Sequence, residues 1–275
     1  MSDIGATFRD LHRKGDPFVL ANAWDIGSAR VLAALGAQAI GTSSAAHAFT
    51  LGLPDGGTIT RDQALAHAQD LVMATNLPVS GDFENGFGHS PEDCAETVRL
   101  SAEVGLAGIS IEDAALPDNS AYAFDHAVER IRAAASAARA LRRDFVLVAR
   151  ADGILNGHYD TNEALRRLLA FQEAGADCLY APLPPDMADV ARICASLDRP
   201  VNALAAGPFT AHNRAAFAAA GVARISLGSA LARVTQRAML DAAAPIFASG
   251  DFSKLQPSAS SAEINPLLQK GARDG

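Results

Sequence analysis

Four carboxylates and one arginine stand where their types could do chemistry together. Asp82 and Glu84 fall in Gly81-Asp82-Phe83-Glu84-Asn85-Gly86, Glu112 precedes Asp113 after an apolar run, and Asp55 lies in Leu53-Pro54-Asp55-Gly56-Gly57. Carboxylates gathered at one place repel one another unless a cation neutralises them. A set of oxygens without His or Cys suits Mg2+, or Mn2+, rather than Zn2+. Taken singly, each could instead cap a helix or pair with an arginine.

Arg150 closes the apolar run Phe145–Ala149, where an unpaired guanidinium would be costly. It reads as a fork for a substrate carboxylate, or as an ion pair with Asp152 or Glu112. Thr42-Ser43-Ser44 offers hydroxyls and backbone N–H groups in a turn that could cradle an anion or be a plain strand-to-loop turn. Trp24 and Asp25 follow the first run, and Asn202 sits in the seventh. The seven histidines form no HxH or HExxH pattern, although His47 and His89 fall in loops near these acids. No GxSxG elbow or Cys/His pairing marks a nucleophile.

The elements that must position these residues alternate. β-rich apolar runs recur at Phe18–Ala21, Ala39–Thr42, Pro78–Gly81, Gly108–Ile111, Phe145–Ala149, Cys178–Ala181, Pro200–Leu204 and Ala223–Leu227. Segments of helical composition lie between them, among them Arg61–Ala74, Pro91–Val104, Asp125–Leu141 and Asn162–Ala174. Ser90-Pro91, Thr161 and Thr210 read as helix starts. Gly36, Gly105, Gly175 and Gly221 each follow a helical stretch, where a left-handed cap favours glycine. Eight β-then-α units without a GxGxxG after a strand predict a (β/α)8 TIM-type barrel rather than an open dinucleotide-binding sheet. Such a barrel needs about 250 residues, and the chain has 275. The barrel is expected over residues 1–248, with a short C-terminal helical or tail extension over 249–275 lying on the surface or packing on a neighbouring subunit. In a barrel the active site gathers at the C-terminal ends of the strands, which is where every residue singled out above falls.

The whole chain narrows the class further. Its net charge of −8 argues against nucleic acid, which needs a basic face. No apolar stretch approaches a membrane span and the first residues carry no signal-peptide core. Three cysteines without a CxxC spacing fit reduced, buried thiols in a cytoplasmic protein.

Several motifs together resemble the isocitrate lyase/phosphoenolpyruvate mutase superfamily over about residues 6–245. They are FVLANAWDIGSAR at Phe18–Arg30, Gly52-Leu-Pro-Asp55-Gly, the Asp82-Phe-Glu84-Asn-Gly86-Phe-Gly88 counterpart of its D-x-D-[TN]-G-x-G, and Ile109-Ser-Ile-Glu112-Asp113. The resemblance implies that Asp82 ligates Mg2+ directly and that Asp55, Glu84 and Glu112 hold its waters. It also implies that Thr42, Ser43, Ser44, Arg150 and Trp24 meet the substrate, with Asn202 against the substrate's far part. Family members are commonly tetramers that exchange their eighth helix, and the apolar Leu231–Phe247 segment implies the same homo-oligomer, dimer or tetramer, here.

Two departures decide the expected reaction. Glu84 stands where the family usually has Asp. The segment Ala114-Ala-Leu-Pro-Asp118-Asn119-Ser120-Ala-Tyr122 lacks the lyases' Cys-Gly-His acid, and Ala114 replaces the mutases' lysine. Asn119, Ser120, Tyr122 and His126 are the remaining candidates for proton transfer from that loop, beside Glu112 and Arg150 in the site. The expectation is a Mg2+-dependent lyase cleaving a C–C bond of a small 2-oxo or 2-hydroxy di- or tricarboxylate, in the manner of oxaloacetate decarboxylation or methylisocitrate cleavage. The alternatives are a C–P bond enzyme acting on phosphonopyruvate or phosphoenolpyruvate, and a non-catalytic barrel that binds a 2-oxo acid.

Overall fold

The computed structural model describes residues 3–273, and the predicted alternation is present in it. The strands are β1 (Phe18–Asn22), β2 (Ala39–Gly41), β3 (Val79–Asp82), β4 (Gly108–Glu112), the short β5 (Ala114–Ala115) and β6 (Ser120–Ala121), then β7 (Val146–Arg150), β8 (Cys178–Tyr180), β9 (Val201–Leu204) and β10 (Arg224–Ser226). Eight of them close a parallel barrel in the order β1-β10-β9-β8-β7-β4-β3-β2, while β5 and β6 form a separate antiparallel hairpin. Successive strand side chains point to opposite faces. On β10, for example, Arg224 and Ser226 fall on one face and Ile225 on the other.

The helices are α1 (Ile4–Asp10), α2 (Ile26–Ala34), α3 (Ser44–Thr50), α4 (Arg61–Ala74), α5 (Pro91–Glu103), α6 (Phe124–Ala140), α7 (Thr161–Glu173), α8 (Met187–Ser196), α9 (Arg214–Ala219), α10 (Ala230–Ser249) and α11 (Ser261–Lys270). Ser90 caps α5 as expected, in a reciprocal box with Asp93. Two expected starts move. α7 is capped by Asp160, whose carboxylate accepts from the Asn162 and Glu163 N–H groups and places Thr161 inside the first turn. Thr210 falls in a 3₁₀ turn, and α9 begins after Asn213. All four glycine stops adopt left-handed backbone, from φ 85° at Gly221 to 106° at Gly175.

A barrel interior must be filled with side chains. Phe18, Leu20, Val146, Val148, Cys178 and Tyr180 do so, and Phe8 of α1 joins them. A larger apolar shell between strands and helices includes Ile40, Leu71, Phe83, Ile109, Leu147 and Phe171.

The C-terminal segment is more ordered than its polar composition suggests. α11 packs on α2 of its own chain, and Gly271 lies so close to the Arg30 carbonyl that a Cβ there would come within 1.8 Å of its oxygen. Beyond it, the Arg273 N–H donates to the Ala74 carbonyl at 3.0 Å. α10 does the opposite, with Ala232 its only buried residue. Among the described residues no helix is long and apolar enough to cross a membrane.

Candidate active site

The C-terminal ends of the strands ring a cavity of about 490 Å3, and it gathers Thr42, Ser43, Ser44, Asp55, Asp82, Glu84, Glu112, Asn119 and Arg150. Asp82 is held from three directions. Its Oδ2 accepts from the Ser44 N–H (3.0 Å) and hydroxyl (2.9 Å), its Oδ1 accepts from Arg150 Nη1 (2.7 Å), and its own N–H donates to Thr42 Oγ1 (2.7 Å). The 42–44 turn therefore orients a carboxylate, beyond lining the cavity. Glu84 follows with a left-handed backbone (φ 45°) that a β-extended glutamate would not adopt. Its carboxylate accepts from the Gly57 N–H at 3.2 Å, and its carbonyl from the Glu112 N–H at 2.9 Å. Strained backbone of this kind persists only where the surroundings over-determine it.

Arg150 answers the question its position posed. Its Nε and Nη2 grip Asp152 (3.0 and 2.6 Å), Nη1 meets Asp82, and Nη2 stands 3.1 Å from Glu112. One guanidinium thus serves three carboxylates, so the ion-pair reading holds in this structure.

The acids carry the cost of their crowding. Burial, with the Gly57 N–H opposing it and the Asp82 and Asp55 charges adding to it, pushes Glu84 up to about 7. Burial also raises Glu112 well above the ordinary range despite Arg150. Asp55 is raised by burial and then by Asp82. Groups that resist ionisation for these reasons are relieved by a nearby cation. The donor set of Asp55, Asp82, Glu84 and Glu112 is all oxygen and so fits a hard divalent ion. Among the described residues, no group of three or more His, Cys, Asp or Glu side chains stands ready as a closed metal cage.

Several expected residues lie elsewhere. Trp24 does not line the cavity. Its N–H donates to Ser28 Oγ at the start of α2, and its carbonyl bonds His67 Nε2 at 3.0 Å. Asn202 is buried behind the wall, donating to Ser226 Oγ and accepting from Arg224 Nε, both at 2.9 Å. Ser120 is exposed on the β5–β6 hairpin. Tyr122 turns its hydroxyl to Asn85 and to His89 Nδ1 (2.7 Å), with the Arg130 guanidinium 4.3 Å from its ring. Both are corrected as proton-transfer candidates: the Tyr122 hydroxyl serves the outer 85–90 loop, and Ser120 is exposed outside the cavity lining. From the hairpin segment only Leu116 and Asn119 reach the cavity. His47 stacks on His67 (3.9 Å, 11°) away from the cavity.

Residues without an assigned role complete the walls. Asn22 Oδ1 accepts from the Leu227 and Gly228 N–H groups and its Nδ2 donates to the Thr42 carbonyl, tying β1 to its neighbours on both sides. Ser80, Ser110, Tyr180 and Arg224 descend into the barrel, and Arg233 stands on α10. The signal for them was the strand alternation: Ser110 lies two before Glu112, and Arg224 two before Ser226.

The family model described as phosphoenolpyruvate phosphomutase matches residues 8–247. The chain belongs to the isocitrate lyase/phosphoenolpyruvate mutase superfamily. An uncharacterized protein of Mycobacterium tuberculosis strain H37Rv is 36% identical over 224 residues, 81% of this chain and 82% of that one. The 2,3-dimethylmalate lyase of Eubacterium barkeri is 31% identical over 199 residues, covering 70% and 67%. A crystal structure of a Burkholderia cenocepacia J2315 protein superimposes with TM-score 0.91 at 44% identity, covering 95% of this chain and 94% of that one.

Superfamily membership makes this an enzyme type that cleaves C–C or C–P bonds. The segment after β4 is a small hairpin without cysteine. The chain's three cysteines, Cys94, Cys178 and Cys194, are buried and free, and burial pushes each thiol up to about 11. None lines the cavity.

Proposed function

We propose that this chain is a Mg2+- or Mn2+-dependent lyase that breaks a C–C bond of a small 2-oxo or 2-hydroxy di- or tricarboxylate, with oxaloacetate decarboxylation its simplest case. The observation that carries this is the meeting of Asp55, Asp82, Glu84 and Glu112 with Arg150 at one end of the barrel. Asp82 would hold the cation directly and the other three through water. When bound, the cation supplies positive charge against the negative charge that develops on the substrate.

The chain's own residues do the rest. Ser44 and Thr42 fix Asp82 in place, and Asp152 fixes the plane of Arg150, whose Nη1 would exchange Asp82 for a substrate carboxylate once a cation engages Asp82. Leu116 and Asn119 stand at the cavity from the hairpin and would cover the substrate. In oxaloacetate the C3–C4 bond breaks and its electron pair stays on C3, conjugated with the C2 oxygen. CO2 departs neutral, and water protonates C3 to give pyruvate. No positioned acid is required, which fits a cavity with no cysteine in its walls. Isocitrate cleavage lacks that tolerance, because removing a general acid typically costs about 10²–10⁴ in rate.

The test is a coupled pyruvate assay against a metal-only blank. Mg2+-dependent release from oxaloacetate well above the blank is expected, abolished by EDTA and by Asp82→Ala in a folded protein, and sharply reduced by Arg150→Ala. Full activity in EDTA, or isocitrate or phosphonopyruvate turning over much faster than oxaloacetate, would overturn the proposal.

A further inference from the structure

Arg224 is a buried charge with no ion-pair partner among the described residues. It lies on β10, 3% exposed, and lines the base of the same cavity. Register places it beside Phe18 of β1 and Asn202 of β9. Asn202 gives its amide N–H to Ser226, which turns its oxygen toward Arg224 Nε. That neutral oxygen is the guanidinium's one hydrogen-bond partner among the described residues, and Nη1 is buried with none. No carboxylate of the described residues forms an ion pair with it, whereas Arg150 in the same cavity has three.

A guanidinium cannot shed its proton inside a protein. Burying one without a counter-ion costs several kcal/mol. Burial accordingly pulls Arg224 below the ordinary arginine value, with Cys178 and Tyr180 opposing. Its position in a ligand cavity says what would offset that cost.

We infer that Arg224 is the subsite for a second anionic group of the substrate, a carboxylate carried beyond the 2-oxo acid end held near Arg150. This rests on the 2-oxo acid reading of the site and assigns the residue that holds the second carboxylate. A monocarboxylate leaves Arg224 unpaired. A dicarboxylate replaces the missing partner with a charge-assisted bond. The rival account is that Arg224 merely balances the excess of acids near Arg150, in which case it favours every anion alike.

The experiment is calorimetric titration of the full chain, saturated with Mg2+, with 2-oxoglutarate and with 2-oxobutyrate, which share the 2-oxo acid end and differ in the second carboxylate. The wild type is expected to prefer 2-oxoglutarate. Arg224→Gln should weaken 2-oxoglutarate about ten- to hundredfold, the span of a lost hydrogen bond to a charged group, and leave 2-oxobutyrate unchanged. Arg224→Lys keeps the charge at shorter reach and should fall between, and it carries the test if the glutamine variant does not fold. A wild type with no preference for, or no binding of, 2-oxoglutarate overturns the inference, as does a variant that weakens both ligands equally or neither. The two proposals fail separately. Arg224-dependent binding without pyruvate release from oxaloacetate sinks the lyase reading alone, and decarboxylation indifferent to Arg224→Gln sinks this one alone.

Discussion

Asp113 is where removal of a single charge should show most clearly in stability. It is buried beside the site without lining the cavity. Its Oδ2 accepts from Arg167 Nη1 (2.9 Å) and the Tyr159 hydroxyl (2.7 Å), and its Oδ1 from the Asp152 N–H (2.8 Å). In Asp113→Asn one amide atom can still receive the Asp152 N–H. The other becomes a donor facing two donors, and Arg167 keeps only Glu163 and the Tyr122 carbonyl. Removing one partner of a buried pair costs about 3–5 kcal/mol, and the surviving partners place this case near 3. For 275 residues the unfolding entropy is about 0.6 kcal/mol per kelvin, so the melting midpoint should fall by about 5 °C. The assay is thermal unfolding at fixed scan rate, followed by circular dichroism and by the fluorescence of Trp24, the single tryptophan. Paired with Arg167→Met, the double variant should show a coupling above about 1 kcal/mol. A loss under about 0.5 kcal/mol, the range of an ordinary surface substitution, would refute the reasoning.

Two further outcomes follow from features away from the acids. His67 is pushed down to about 4 by burial and by its stacked neighbour His47, which burial also lowers. Both folded values lie below the unfolded one of about 6.5, so the folded state binds fewer protons. Their stabilisation is complete above that pH and is lost as pH falls toward 4, by about 3 kcal/mol for His67. His67→Phe should flatten the melting temperature over that window, and an unchanged slope would count against the argument. The second outcome is oligomerisation: α10 leaves Val234, Met239, Leu240 and Phe247 exposed, and β1 leaves Val19 38% exposed where a barrel strand is normally covered. A homo-oligomer, a tetramer of helix-exchanged dimers, is the expected light-scattering result, and a monomer at micromolar concentration would contradict it.

The barrel was legible because its strands are short apolar runs and its helices end on glycines, signals that depend only on neighbours in the chain. Arg61–Ala74 was bounded to the residue. Local chemistry misled at α7, where Asp160 outcompetes Thr161 as the cap. The acids and Arg150 were legible because strand ends converge in every barrel. What the sequence could not disclose was direction. Tyr122 and Asn119 are three residues apart on one hairpin, yet one faces the outer loop and the other the cavity, a choice made by His89 and Asn85 far away in the chain. The docking of α11 joins a short apolar stripe, the half-buried Ile264, Leu267 and Leu268, to a close backbone contact at Gly271, and the polar residues around that stripe masked it in the sequence.

The threefold engagement of Arg150 makes the cavity selective before any substrate arrives. An anion reaching it alone would have to displace Asp152, Glu112 or Asp82, and the displaced acid would be left facing the others. Entry of negative charge is therefore linked to the arrival of positive charge. Linkage is reciprocal, so each must raise the affinity for the other by the same factor. With a cation bound among these acids, the barrel mouth would behave as a coincidence detector, taking up an anion and a cation together more readily than either alone.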